Sequence, residues 1–78
     1  MKEADAVRLF KCLADKSRLQ ILQSLAQEEM YVERLAERLD LSAATVSFHL
    51  KKLADAGLVT SRKSQYYTMY ALCRQPLE

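Results

Sequence analysis

The segment "LSAATVSFHLKKL", residues 41–53, is the most informative part of this sequence. Val46, Leu50 and Leu53 recur at the spacing of one helical face, and Ser42 is suited to cap the helix that they predict. The opposite face is unusual for a water-facing helix, because it carries small groups and one bare aromatic ring: Ala43, Ala44, Thr45, Ser47 and Phe48. Such a face indicates close approach to a partner.

The size and charge of the chain limit what it can be. Its 78 residues allow one small domain, which buries roughly 60% of the surface that the unfolded chain exposes, so a partner subunit is expected. One glycine, one proline and 50% hydrophobic residues are typical of a helix-rich globular protein. The net charge of +2 is only mildly basic, so charge alone does not establish a nucleic-acid partner.

The cysteines and the first residues indicate the compartment. Cys12 and Cys73 form neither a CxxC pair nor the disulfide framework of a secreted protein, which favours free thiols. The segment "MKEADAVRLF" lacks the apolar core of a signal peptide, and no stretch reaches the ~18 apolar residues of a transmembrane helix. We therefore expect a cytoplasmic protein with no membrane partner.

The spacing of apolar residues predicts four helices, over residues 3–14, 16–26, 32–39 and 43–56. Asp15 is predicted to cap the second helix, and Gly57 to end the fourth in a Schellman motif completed by Leu58. The buried line of the fourth helix is expected to include Ala54. Between the second and third helices, "QEEMYV" can form at most a very short strand.

Beyond Gly57 the pattern changes to β-branched and aromatic runs, which predict hairpin strands over residues 58–63 and 66–72. Ser64 and Gln65 are predicted to form the turn. The tyrosines of the second run, which alternate and are expected to pack against the helices or cover the sheet, are Tyr66, Tyr67 and Tyr70. The predicted fold class is mainly α with a small β-hairpin, arranged as a winged helix-turn-helix.

Two helices joined by a three- to four-residue turn have the form of a helix-turn-helix, whose second helix enters the major groove of DNA. Small residues at the start of that helix allow close approach, and the hydroxyls of Thr45 and Ser47 can bond to base edges or phosphates. The cations placed to neutralise phosphates lie farther along the helix and at the hairpin tip: Lys51, Lys52, Arg62 and Lys63. The hairpin, residues 59–70, would lie beside the groove as a wing.

Three segments, "LADKSRLQILQSL", "LAERLDLSAATVSFHLKKLADAGLV" and "YYTMYAL", resemble the ArsR/SmtB family of winged helix-turn-helix transcriptional regulators over residues 9–72. The resemblance implies a homodimer that binds a partly palindromic operator in double-stranded DNA, usually as a repressor released by an inducer, whose identity the sequence does not give. The residues that match or flank the DNA-reading helix are Ser42, Ala43, Ala44, Thr45, Ser47 and His49. Phe48 is expected on the same DNA-binding face, but it stands where the family commonly has a polar or basic side chain. The resemblance assigns Arg62 and Lys63 to the wing. It places the dimer surface on the first helix, at Val7, Phe10, Lys11 and Ala14.

The chain departs from the metal-sensing members of that family. Where they carry a "CVC" motif, residues 31–33 are "YVE", and a lone His49 cannot build a zinc site, so neither a metal nor a cofactor is expected. His49 lies at the edge of the buried stripe, which favours a structural or phosphate-bonding imidazole. Members of the family also continue beyond the last strand, so a fragment of a longer regulator is expected.

Other interpretations stay open at this point. A winged helix can also dock on a protein, here through Phe48 and the small face of the fourth helix. Cys12 and Cys73 leave a thiol switch open, since both lie near the dimer surface that the resemblance implies. An enzyme is not expected, because the sequence places no Ser/His/Asp set, carboxylate pair or glycine-rich phosphate loop.

Overall fold

The computed structural model describes residues 3–73, except for five side chains of the first helix: Asp5, Arg8, Leu9, Cys12 and Leu13. Its elements in chain order are α1 (Glu3–Leu13), α2 (Lys16–Gln27), β1 (Met30–Tyr31), α3 (Val32–Leu39), α4 (Ala43–Asp55), β2 (Val59–Lys63) and β3 (Thr68–Leu72). This confirms the winged helix-turn-helix, with each helix end within one residue of its predicted position. None of the described helices is both long and apolar enough to cross a bilayer.

The three strands form one antiparallel sheet in the order β1-β3-β2. Met30 is paired with Tyr70, so "QEEMYV" does contain a very short strand. The hairpin connection is longer than expected: Lys63 pairs with Thr68, and the backbone N–H of Ser64 donates to the carbonyl of Tyr67 (2.8 Å). The second strand therefore begins at residue 68, not at residue 66.

The longer turn corrects the expectation for the tyrosines. Tyr66 lies in the turn and is 87% exposed, so it neither packs against a helix nor covers the sheet. Strand alternation does not apply to it, because it is not in a strand. Tyr67 stacks on Tyr31, and Tyr70 lies half-buried against the core, as expected.

The core is formed by nine apolar side chains from α2, β1, α3, α4 and β2: Ile21, Leu25, Met30, Leu35, Ala36, Val46, Leu50, Leu53 and Val59. Of the α1 side chains that are described, none belongs to it. Ala54, which was expected in the buried line of α4, is exposed. It follows Leu53 by about 100° of helical rotation, and this turns it away from the core.

The turn between α3 and α4 is fixed by backbone hydrogen bonds and by a side-chain cap. Asp40 adopts a left-handed conformation (φ 56°), and the N–H of Leu41 donates back to the carbonyl of Ala36 (2.9 Å). Asp is one of the residues that tolerate this conformation. Ser42 then caps α4, as predicted, since its Oγ accepts from the backbone N–H of Thr45 (3.1 Å). The direction of α4 relative to α3 is set at these positions.

The end of α4 is the predicted Schellman motif. Gly57 has φ 77°, its N–H donates to the carbonyl of Ala54 (2.9 Å), and the N–H of Leu58 donates to that of Leu53 (2.9 Å). These bonds satisfy carbonyls that the helix end leaves without partners. They also direct the chain into β2, which follows at once.

We predict that Gly57→Ala lowers the free energy of unfolding by about 1–2 kcal/mol, because a Cβ in the left-handed region approaches the following carbonyl oxygen. No other atom lies within 4 Å of where that Cβ would be, so the loss comes from the backbone alone. Urea denaturation of both proteins measures it. Gly57→Asn is the control and should lose less, since Asn tolerates this conformation. Equal stability of the Ala variant and the parent would contradict the prediction.

Candidate nucleic-acid interface

The outward face of α4 presents the small side chains that the sequence predicted. The residues of this face, all exposed, are Ala43, Ala44, Thr45, Ser47, Phe48, Lys51 and Lys52. Besides capping the helix, the hydroxyl of Ser42 donates to Oγ1 of Thr45 (2.8 Å). Thr45 thus accepts within the protein, and its own hydroxyl proton can be donated to an acceptor outside.

The charges are unevenly distributed along the chain. Residues 41–73 contain four basic residues and one acidic residue, Asp55, the basic ones being Lys51, Lys52, Arg62 and Lys63. Residues 3–40 contain eight acidic residues, namely Glu3, Asp5, Asp15, Glu28, Glu29, Glu33, Glu37 and Asp40. The part of the chain that forms α4 and the hairpin is therefore the more positive part, which suits an anionic partner.

His49 does not share the exposed face. Its side chain is buried, at 7% exposure, and its Nδ1 accepts a hydrogen bond from Nε of Arg18 (3.1 Å). A nitrogen that accepts carries no proton, so the neutral ring has its proton on Nε2. Of the two roles that the sequence left open for this imidazole, the position favours the structural one.

Arg18 reaches His49 from the start of α2. The carboxylate of Asp15 caps this helix as predicted, accepting from the backbone N–H of Arg18 (3.2 Å). That bond is the main reason why the pKa of Asp15 lies below its usual value, against the effect of desolvation, which raises it. The hydrogen bond from Arg18 to His49 attaches the first turn of α2 to the side of α4.

Phe48 lies at the junction of these groups and is 54% exposed. The guanidinium carbon of Arg18 is 6.0 Å from the centre of its ring, and Nζ of Lys52 is 5.5 Å away. The ring of His49 meets it edge-on, with 5.5 Å between the centroids. Two cations therefore lie around one aromatic ring on the exposed face of α4.

Two side-chain contacts link the wing to the body of the domain, in addition to the pairing of β3 with β1. Arg62 forms an ion pair with Glu29, whose hydrogen bond and charge raise the pKa of Arg62 above its usual range. Tyr67 stacks on Tyr31, with 4.3 Å between ring centroids and 25° between ring planes. Arg62 thus already has a partner within the protein, whereas Lys63 is exposed at the end of β2.

The residues predicted to form a dimer surface lie on the exterior of α1. Phe10 is 71% exposed and Val7 is 48% exposed, and Lys11 and the following Ala14 are also exposed. Large apolar side chains are rarely left this open without a partner when they are adjacent.

The structure describes the side chain of only one of the two cysteines of the thiol switch that the sequence left open. Cys73 is half-buried and has a free thiol. The side chain of Cys12 lies outside the described residues, so the predicted pair of thiols does too. Within the described part of the chain, no three side chains of His, Cys, Asp or Glu are grouped in a way that could hold a metal ion.

Sequence reasoning missed three residues that shape this site: Arg18, Glu29 and Tyr31. Each acts on a side chain more than 30 residues away in the chain or in another element. Helical periodicity places Arg18 on α2 but does not indicate which helix it faces. No local signal in the sequence could have identified these pairs.

The comparisons with known proteins agree with this geometry. Residues 13–62 match the family of helix-turn-helix domains. The HTH-type transcriptional regulator KmtR of Mycobacterium tuberculosis is 46% identical over 66 residues, which are 85% of this chain and 51% of KmtR. An arsenical resistance operon repressor of Staphylococcus xylosus is 40% identical over 70 residues, 90% of this chain and 67% of that protein.

A solved structure is similar as well. The solution structure of a homodimeric winged helix-turn-helix DNA-binding domain from Mycobacterium bovis, a possible ArsR-family regulator, superposes with a TM-score of 0.85 at 36% identity. The match covers 90% of this chain and 65% of that one. The chain thus spans between about half and two-thirds of the length of these three proteins.

We predict that Glu29→Ala loosens the wing, because it removes the ion pair with Arg62. Backbone amides of β2 and of the turn, residues 64–67, should exchange with deuterium on the order of a few-fold faster. A change of this size corresponds to the free energy of one surface ion pair. The difference should shrink in concentrated salt. Glu28→Ala is the matched control, since Glu28 pairs with Arg34 of α3 (3.2 Å) and not with the wing. Unchanged exchange in the wing of the Glu29 variant would contradict this role.

Proposed function

The chain belongs to the ArsR/SmtB-type winged helix-turn-helix regulators, and from this premise we propose that it is a sequence-specific, DNA-binding transcriptional regulator. In this proposal α4 enters the major groove and the wing lies against the flanking DNA. The regulator acts as a repressor, as the relative from Staphylococcus xylosus is named.

The observation that carries the proposal is the exposed face of α4. Among its first five residues, the outward ones are Ala43, Ala44, Thr45 and Ser47, and none of these side chains is large enough to hold the helix away from base edges. A helix that faces only water gains nothing from such a face. A major groove about 12 Å wide admits a helix closely only where its side chains are short.

The proposal gives the side chains different roles. Thr45 and Ser47 read base edges, and the methyl groups of Ala43 and Ala44 meet the groove. The lysines neutralise phosphates and so contribute affinity that is independent of sequence; they are Lys51, Lys52 and Lys63. Arg62 can reach DNA only by exchanging its ion pair with Glu29 for one with a phosphate.

The proposal also includes a symmetric homodimer. Val7 and Phe10 leave an apolar surface on α1, and the related domain from Mycobacterium bovis is homodimeric. Two copies related by a twofold axis would present two α4 helices, so the operator is expected to be partly palindromic.

A protein-docking module is the second candidate, and one observation favours it: Phe48 exposes half of its ring at the centre of the α4 face. The two candidates differ in how binding responds to salt, because counterion release is a property of nucleic acids.

We predict that substitutions on α4 separate into two classes. Thr45→Ala and Ser47→Ala should change the preference among operator sequences, at about 1–3 kcal/mol for a lost base contact. Lys51→Ala should weaken binding to all sequences alike and lower the log–log salt slope by about 0.9 for each protomer. Selection of bound sites from random DNA, followed by titrations at several salt concentrations, measures both.

The control for these variants is Arg34→Ala, which removes one cation from α3 that already pairs with Glu28 and does not lie on the outward face of α4. Its salt slope should equal that of the parent. Equal loss on every sequence for all α4 variants would contradict the division of roles. Failure of random DNA to yield any preferred sequence would favour the protein-docking candidate.

We further predict that Phe10→Glu converts the dimer into monomers, because it places a charge in an apolar interface. Sedimentation equilibrium should show the change in mass, and affinity for a palindromic site should fall while affinity for a half-site does not. For the sedimentation measurement, Tyr66→Glu is the matched control: it changes an exposed aromatic residue of the wing tip to the same acid and should leave the dimer intact. A Phe10 variant that remains dimeric would place the interface elsewhere.

A further inference from the structure

We propose that Arg18, at the start of α2, is a phosphate-binding residue of the DNA interface and that His49 and Phe48 hold it in position. The inference rests on the proposed function, since the phosphate belongs to the DNA on which α4 lies. It adds a contact from outside the helix-turn-helix and the wing.

The partners of the arginines distinguish Arg18 from the others that the structure describes. Arg34 pairs with Glu28, Arg38 donates to the side-chain oxygen of Gln27 (2.7 Å), and Arg62 pairs with Glu29. Each of these guanidinium groups is engaged through a terminal nitrogen by an oxygen of the protein. Arg18 is instead held through Nε, by a nitrogen of the neutral His49 ring.

This mode of attachment leaves the binding edge of Arg18 available. The bond from Nε to Nδ1 of His49 fixes the stem, and among the side chains that the structure describes, no carboxylate forms an ion pair with the guanidinium. Asp15 is the nearest acid along the chain; its carboxylate accepts from the backbone N–H of Arg18, and the attraction between the two charges is the smallest of the causes that lower the pKa of Asp15. The two terminal nitrogens can therefore donate side by side to one phosphate, the geometry in which a guanidinium binds most strongly.

Phe48 sets the direction of the Arg18 guanidinium. This role accounts for an aromatic ring on the exposed face of α4. The ring lies 6.0 Å from the guanidinium carbon and is itself on the exposed face of α4. A cation placed over an aromatic face is attracted to it without losing its charge. The ring thus places the charge of Arg18 beside the α4 face, near Lys52 on the same ring.

The chemistry of this arrangement favours a phosphodiester over a carboxylate of a protein partner. The guanidinium and the lysines of α4 form a cluster of positive charge next to small, groove-facing side chains. On a duplex, phosphates flank each groove, so a helix in the groove brings the residues along its side to the backbone.

Arg18→Gln tests the proposal. Nε2 of Gln follows Cδ as Nε of Arg does, so it can still donate to His49. The substitution removes the positive charge and the two terminal nitrogens of the guanidinium. We expect weaker binding to every DNA sequence and a salt slope lower by about 0.9 per protomer, roughly two for a dimer. Thermal unfolding of the variant shows whether the fold is kept, and Arg18→Lys, which keeps the charge, should keep the slope.

Arg34→Gln is the matched control, because the same change is made at an arginine that a glutamate already engages. Its salt slope should not differ from that of the parent. A parent protein that binds DNA with a steep salt slope, together with an Arg18→Gln variant of equal slope, would overturn the proposal and leave the proposed function intact. A parent protein without salt-dependent DNA binding would overturn the proposed function itself.

The positioning role of Phe48 is tested by a double-mutant cycle. Phe48→Leu should weaken DNA binding in the parent but have little further effect in the Arg18→Gln variant, because the ring acts through the guanidinium. A purely structural role, or a direct contact of the ring with DNA, would instead give the same loss in both backgrounds, and that result would overturn this role.

Discussion

The burial of one line of α4 is the constraint on which the rest of the structure depends. Val46, Leu50 and Leu53 are fully buried, and they fix the rotation of the helix about its own axis. Since successive residues differ by about 100°, a shift by one position would bury the hydroxyl of Thr45 in one direction or that of Ser47 in the other, and would expose the core. The small face is therefore outward because the apolar line is inward.

The second constraint is the attachment of the wing and of α2 to this core. The wing is held by a stacked pair of tyrosines and an ion pair, and α2 reaches α4 through the bond from Arg18 to His49. A short hairpin with exposed outer residues has little core of its own, so contacts outside it must define its direction. Part of the charge near the DNA face is thereby used to hold the domain in shape.

The helices could be predicted from the sequence, but the side-chain contacts between elements could not. Helical periodicity and the caps at Asp15, Ser42 and Gly57 are local properties, and all of them were predicted. The hairpin turn was predicted too short, because Ser64 and Gln65 lack the sequence preference that defines a two-residue turn. The partners of His49 and Arg62 come from elements more than 30 residues away, and they depend on how the helices pack.

Under the proposed function, the low net charge of the chain links dimerisation to DNA binding. The net charge of a protomer is only +2, and three of its arginines are engaged by acidic or amide groups of the protein itself. Such a protomer neutralises few phosphates, and affinity without sequence preference rises with the number of phosphates neutralised. Two protomers on one site double the number of contacts. Because the protomers are already joined, binding of the second is intramolecular and does not repeat the loss of translational entropy. In the proposed regulator, the apolar surface of α1 and the small face of α4 therefore meet one requirement: a small domain with a low net charge holds DNA better together with a symmetric partner.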